Sequence, residues 1–288
     1  MTSTGGLRFG SAGVLPGAPK QGSAGGVAYV GELGLGAMEI EWVRARMRVI
    51  SDETAKAIRR AAAKHDVSLS VHGAYYINLN SPRPQVIEQS REWVRLQARS
   101  AWAVGATDLV FHAAFMHDDS EDAVYGRVRR HLTELVQELC ENGIDVMLRP
   151  ETTGKPTAFG TLEQVLALAD EIDGVEPCID FAHIHARNNG GYNTYAGFRH
   201  VLDRTREVLG DAGLRNLHLH FSGIEYTAAG EQNHLLLDDS DMHWQELLQA
   251  LVDVNAAGTL ICECPMHGQE EELTRLQSTY RALKNEAA

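Results

Sequence analysis

Short runs of apolar, β-favouring residues alternate along this chain with longer amphipathic stretches. The runs fall at Arg8–Val14, Ala37–Glu41, Ser68–His72, Asp108–Ala113, Asp145–Glu151, Glu176–Phe181, Leu217–Ser222 and Thr259–Pro265. Successive starts are roughly 30 to 40 residues apart, the length of one strand, one helix and two loops. Between them the period becomes helical. Ser51 is placed to cap a helix over Asp52–Lys64, and Gln85–Val104 follows Pro82 and Pro84 as a long amphipathic segment. Ala123–Glu141 stops at Asn142-Gly143, and Thr161 caps Leu162–Glu171 with Glu163 and Gln164 in reach of a capping box. Thr194–Leu209, Met242–Asn255 and Glu270–Asn285 complete the series.

Eight strands alternating with helices predict parallel strands joined by right-handed crossovers. Eight such units in a chain of 288 residues favour a closed α/β barrel, the (β/α)8 TIM barrel, over an open doubly wound sheet. The glycine-rich patch Gly22–Gly26 is too early and too short for an interdomain linker, so residues 1–288 are expected to form one domain. In a barrel, active sites gather at the C-terminal ends of the strands.

Those ends carry the chemistry. The third strand ends in His72 and the fourth is followed by His112. The fifth finishes at Glu151, and the sixth at Asp180 with His183 just beyond. The seventh carries His218 and His220, with His234 in its loop, and the eighth carries Glu263. Six consecutive strands thus end in a residue able to bind a divalent cation. Buried carboxylates and imidazoles on one rim are costly unless paired or metal-bound. Imidazole with carboxylate and no thiolate suits zinc, manganese or iron; Cys262 and Cys264 flank Glu263 and should point away from it. The supply of donors exceeds what one four-coordinate ion needs, which predicts two or more ions.

Composition narrows the partners. The net charge is −13, so a generally basic surface coating nucleic acid is excluded, although a local site built on metal cations is not. Of 26 cationic residues only five are lysine, which leaves 21 arginines. Cys140, Cys178, Cys262 and Cys264 show no paired spacing and read as small buried residues of a reducing cytosol. No apolar run approaches the length of a membrane span, and no secretory start is present, so a cytoplasmic protein without membrane contact is expected.

The stretch His72-Gly73-Ala74-Tyr75-Tyr76-Ile77-Asn78-Leu79 resembles the H-x-x-Y-x-I-N-L of the endonuclease IV family of apurinic/apyrimidinic endonucleases. The match continues through Val110-Phe111-His112, Glu151, Asp180-Phe181-Ala182-His183, His220 and Glu263-Cys264-Pro265. It runs in order over essentially the whole chain. The resemblance implies a zinc enzyme, with two or three ions per chain and manganese as a possible substitute. Its reaction would be cleavage of damaged duplex DNA 5′ to abasic sites in base-excision repair, and a monomer is expected. Carried over by position, His72 and His112 would hold a first ion, and Glu151 would bridge it to a second. Asp180, His220 and Glu263 would complete the second, and His183 with His234 would serve a third. Glu151 and Glu263 would be the catalytic carboxylates, and Tyr75 and Asn78 would lie in the loop against the DNA.

The chain departs from the family at two places. Where the family has D-x-H after strand seven, this sequence reads Gln232-Asn233-His234; Gln232 through its carbonyl oxygen, or the neighbouring Glu231, is open as a substitute. The family's H-x-N-D-S has become His220-Phe221-Ser222-Gly223. A competing expectation is a one-metal sugar isomerase or epimerase of the xylose isomerase-like superfamily, for which Glu151, Asp180, His220 and Glu263 would suffice. His72, His112, His183 and His234 are what such an enzyme does not require. Glu39 either points into the barrel or is a structural carboxylate paired with an arginine. Arg44–Arg48 is either a solvated helix face or a contact to phosphate, and Asn188–Gly191 is a loop able to gate the site. His117, His185 and His267 are unmatched, and His218, two residues from His220, should share its face.

Overall fold

The computed structural model describes residues 6–19, 22–44 and 49–287. Eight parallel strands form one sheet: β1 (Leu7–Ala12), β2 (Ala37–Glu41), β3 (Ser68–His72), β4 (Asp108–Phe111), β5 (Met147–Pro150), β6 (Ile179–Asp180), β7 (Leu217–Phe221) and β10 (Gly258–Cys262). Neighbours in sequence among β1 to β5 pair with one another, as do β6 with β7 and β7 with β10, and β1 pairs with β10 from Leu7↔Gly258 to Ser11↔Cys262. The ring closes between β5 and the approach to β6, through parallel bridges Leu148↔Val175 and Glu151↔Cys178. That closure explains the short β6. Its preceding residues face β5, while only Ile179 and Asp180 pair with β7. The fold is a (β/α)8 TIM barrel.

The outer helices follow from local chemistry. Ser51 accepts a hydrogen bond from the Thr54 amide and starts α2 (Asp52–His65), while α3 (Pro84–Val104) has proline in its first turn. Helix α4 (Glu121–Glu141) stops before Gly143, whose φ of 67° favours glycine. Thr161 and Gln164 form a complete capping box on α5 (Leu162–Glu171), worth about 1 kcal/mol. The helical run expected to end at Leu209 breaks at Gly210 and resumes, so that α7 spans Tyr195–Arg215. Helices α8 (Trp244–Asp253) and α9 (Gln269–Glu286) close the series. No helix among the described residues is long and apolar enough to cross a membrane.

Three elements were not expected from periodicity. Helix α1 (Ser23–Glu32) begins within the glycine-rich patch, whose small residues let it pack: a Cβ at Gly26 would meet Val14 at 2.8 Å. Helix α6 (Phe181–Arg187) starts directly off β6 and is too short to show a helical period. A hairpin, β8 (Gly223–Thr227) with β9 (Gly230–Leu235), stands beyond β7. Cys178, Cys262 and Cys264 are buried as expected, but Cys140, near the end of α4, is exposed; all four are free thiols. Of the arginine-rich stretch Arg44–Arg48, residues 45–48 lie outside the described residues, and Arg44 is exposed.

Candidate metal centre at the barrel mouth

Alternation along the strands turns a set of polar side chains into the mouth. Glu151, one residue past β5 and 1% exposed, is the hub. Its Oε2 lies 3.3 Å from His72 Nε2 and 3.0 Å from His112 Nε2. Its Oε1 lies 3.2 Å from both His183 Nδ1 and His220 Nδ1. Asp180 ends β6 and caps α6, accepting from the His183 amide at 2.8 Å; its other oxygen is 3.2 Å from His183 Nδ1. Glu263 follows β10, with Oε1 3.3 Å from His220 Nδ1. Among the described residues four groups of donor atoms could hold a metal: His72, His112 and Glu151; Glu151, Asp180, His220 and Glu263; Glu39, His72, His220 and Glu263; and Cys178, His218 and His220, which brings in a thiol that the sequence marked only as a buried residue.

The rings are oriented from behind. His72 Nδ1 donates to the Gly73 carbonyl at 2.9 Å, and His183 Nδ1 to the Thr152 carbonyl at 3.0 Å. His234 Nδ1 donates to the Glu263 carbonyl at 3.0 Å. A nitrogen facing a carbonyl must carry the proton, so in these three rings Nε2 is the nitrogen that would ligate a metal, once it has given up its own proton.

The hairpin supplies the last donors, and a bulge decides which. Tyr226 pairs with Glu231 and Glu225 with Asn233, so Gln232 is the unmatched extra residue of β9. Gln232 is exposed, its amide donating to the Gly230 and Glu231 carbonyls. Glu231 turns inward instead: its Oε2 is 3.2 Å from His183 Nε2 and accepts from the Gly154 amide at 3.1 Å. His234 lies on the same side, its ring centroid 5.6 Å from that of His183. Gly230 makes the approach possible. Its φ is 95°, and a Cβ there would meet the Gly154 carbonyl oxygen at 2.3 Å. Of the two substitutes left open by the sequence, the structure therefore brings Glu231, not Gln232, to the site.

Electrostatics follow from burial opposed by counter-charge. Burial alone would raise the Glu151 carboxyl, but the charges of His112 and His220 and the bonds from His112 and His183 hold it well below the usual range. Glu263 behaves alike: His220 and His234 outweigh burial and hold it at about 2. At Asp180 burial wins over His183 and raises it to about 6. Burial would depress His72, yet its bond to Glu151 and the charges of Glu41 and Glu151 raise it to about 10. Among the described residues eleven buried side-chain polar atoms lack a partner, and five sit here: Glu39 Oε1, Glu41 Oε1, Asp180 Oδ2, His220 Nε2 and Glu263 Oε2. Four of these are carboxylate oxygens, and buried acceptors left without a donor are what a bound cation satisfies. The residues present fit divalent metal.

Tyr75 is half exposed at the rim, its ring 5.4 Å from that of His72. Asn78 is buried; its Oδ1 accepts from the Asn80 and Phe115 amides and its Nδ2 lies 3.2 Å from His117 Nε2. The Asn188–Gly191 loop is tied to α6, with the Gly190 amide donating to the His185 carbonyl and His185 Nδ1 to the Gly191 carbonyl. Glu39 points into the barrel and faces histidines, not an arginine. Glu41 went unnoticed as a site residue. The i, i+2 spacing of Glu39 and Glu41 on an inward strand face was the available signal.

Comparison with known proteins agrees with the fold. The chain is 37% identical over 277 residues to an uncharacterized protein of Methanocaldococcus jannaschii, covering 96% of this chain and 98% of that one. It is 25% identical over 196 residues to a probable endonuclease 4 of Shouchella clausii, covering 65% of this chain and 64% of that protein. A probable endonuclease 4 of Streptomyces coelicolor is 29% identical over 175 residues, 58% of each chain. Among solved structures, endonuclease IV from Thermus thermophilus superimposes with a TM-score of 0.74 at 20% identity, covering 97% of this chain and 99% of that one. A D-tagatose 3-epimerase-like protein gives 0.72 at 16%, covering 98% and 99%. Both likenesses, at such identity, speak to the fold. The family model described as xylose isomerase-like TIM barrel matches residues 27–285, and the chain belongs to that family.

Proposed function

We propose that this protein is a metal-dependent phosphodiesterase of the endonuclease IV type, cutting duplex DNA 5′ to abasic sites, with zinc as its resident metal. The observation that carries the reading is the second tier of donors. His72 and His112 converge on one oxygen of Glu151, and His183, Glu231 and His234 gather on its far side, beyond the Glu151, Asp180, His220 and Glu263 set that one ion needs. The relatives named probable endonuclease 4 support it.

In this reading His72, His112 and Glu151 hold a first ion, and Glu151, Asp180, His220 and Glu263 a second. His183, His234 and Glu231 form a third position, Glu231 taking the place of the family's aspartate. Bound ions supply charge neutralisation at a phosphate and a nucleophilic water at neutral pH. The chain's own groups do the rest. Glu151 and Glu263 stay ionised despite burial and orient groups between them. The exposed ring of Tyr75 offers a face on which a displaced base or sugar can rest. Asn78 acts from behind, holding the loop of Phe115 and His117. With the protein's charge at −13, attraction for the phosphate backbone comes from the metal centre more than from surface cations.

One observation favours a second reading, a sugar isomerase or epimerase. Glu151, Asp180, His220 and Glu263 form a complete one-metal set by themselves. The deciding assay offers zinc- and manganese-loaded protein a duplex with one abasic analogue, an intact duplex and ketose sugars. Nicking confined to the abasic strand is expected. Ketose epimerisation without nicking would reverse the assignment.

A further inference from the structure

Below the mouth, Glu39 is fully buried in the barrel, where a carboxylate costs several kcal/mol unless compensated. Its Oε2 accepts from Ser70 Oγ at 2.7 Å and from His218 Nε2 at 2.9 Å. Its Oε1 has no aligned hydrogen bond, and 3.0 Å away stands His220 Nε2, which also lacks one. His220 is oriented differently from His72, His183 and His234. His72, His183 and His234 rest Nδ1 on main-chain carbonyls and present Nε2. His220 instead presents Nδ1 to Glu151 and Glu263, at 3.2 and 3.3 Å. It sits inside β7, with β6 on one side (Asp180↔His220) and β10 on the other (Ile261↔His220), where main-chain carbonyls serve the ladders. For His220 it is a side chain, Glu39, that stands where those three rings have a carbonyl.

We infer that Glu39 is a positioning residue for the metal centre: it accepts the Nε2 proton of His220 and so keeps Nδ1 as the lone-pair donor beside Glu151, Asp180 and Glu263. Nothing in the family resemblance assigns Glu39 or His218. The inference rests on the metal-centre reading proposed above. Ser70 and His218 hold the carboxylate oriented from one side, leaving Oε1 for His220. The two atoms stand 3.0 Å apart, within hydrogen-bond distance. Partners of this kind around metal-bound histidine set the tautomer and raise ligand basicity.

The test uses full-length protein with 15N-labelled histidine, loaded with zinc. In the parent, His220 should show a zinc-bound Nδ1 and a slowly exchanging proton on Nε2. Glu39→Gln should keep the fold by circular dichroism, make that proton exchange fast, and weaken zinc binding by about 10- to 100-fold, the usual effect of losing such a partner. Ser70→Ala, which frees Oε2 of one donor, should act in the same direction and more weakly. Should Glu39→Gln fail to fold, the nitrogen assignment in the parent decides. Zinc bound through Nε2 of His220 would overturn the inference, as would unchanged affinity and exchange in Glu39→Gln. Loss of one whole equivalent of zinc in Glu39→Gln would make Glu39 a ligand itself and also overturn it. If the parent takes up no zinc at all, the metal-centre reading falls, and the inference with it.

Discussion

The donors of this mouth come from two supports of unlike rigidity. His72, Asp180 and His220 stand on barrel strands, and Glu151 immediately follows one; all four are essentially buried. Glu231 and His234 stand on the two-stranded hairpin beyond β7, and their side chains are 21% and 31% exposed. A barrel position is locked by register, because slipping a strand by one residue would turn every side chain to the other face. The hairpin is free of that constraint. A single bulge at Gln232 leaves Glu231, and not Gln232, facing His183. The difference teaches where such a centre can change: of the two departures from the endonuclease IV motifs, one lies on the hairpin and the other at its root, Ser222-Gly223, where alteration costs the rest of the site least.

The comparison can be broken most forcefully at the hub. Glu151→Gln should abolish retention of more than one ion by elemental analysis and reduce nicking of abasic duplex well over ~100-fold, since four rings lose their common charged partner. Glu263→Gln should fold normally and lower the rate by more than ~100-fold, the scale on which a transition-state electrostatic partner acts. If either barrel substitution proved milder than those on the hairpin, the two-support picture would fail.

The hairpin should yield smaller effects. Glu231→Gln is expected to cost about 10-fold in affinity for the most weakly held ion while leaving the tighter ones in place, read by competition with a chelator. Gln232→Ala should change neither metal content nor rate, because its amide touches only its own strand's carbonyls. A full loss of the weak ion in Gln232→Ala would show that the bulge rearranges and that Gln232 is a ligand.

A pH series probes the barrel set directly through His72, Glu263 and Asp180. In chelator-treated protein His72, raised from 6.5 to about 10, contributes stability that is complete below pH 6.5 and lost as pH rises through 10. Glu263, lowered from 4.5 to about 2, contributes stability present above pH 4.5 and lost as pH falls toward 2. Asp180, raised from 3.8 to about 6, works in the opposite sense, its contribution falling as pH rises from 3.8 to 6. Thermal unfolding without metal should therefore show a modest fall in Tm between pH 6.5 and 10. Zinc-loaded protein should not show it, because metal binding requires the imidazoles neutral and strengthens as protons leave.

Much of this was legible in the chain. Strand positions at Ala37–Glu41 and Ser68–His72 agree to the residue, because each is a short buried run between helical segments. The convergence of His72, His112, Glu151, Asp180, His220 and Glu263 followed from strand ends in a barrel and needed no contact map. Elements that escaped are α1, which starts inside a glycine-rich patch, α6, seven residues launched straight from β6, and the hairpin, whose residues are largely polar. Glu39 and His218 were visible as residues but not as a pair, since they are 179 positions apart and meet only across the closed barrel.

What the sequence determined by itself is the architecture and the identity of the rim, because alternating periods and strand-end polarity are local properties that survive in one dimension. What tertiary structure alone decided is partnership and direction. A bulge chose Glu231 over Gln232, and closure of the ring set Glu39 behind His220 in place of an arginine. Both outcomes depend on register between segments distant in the chain, and register is fixed only when the whole apolar face of each strand finds its place in the core.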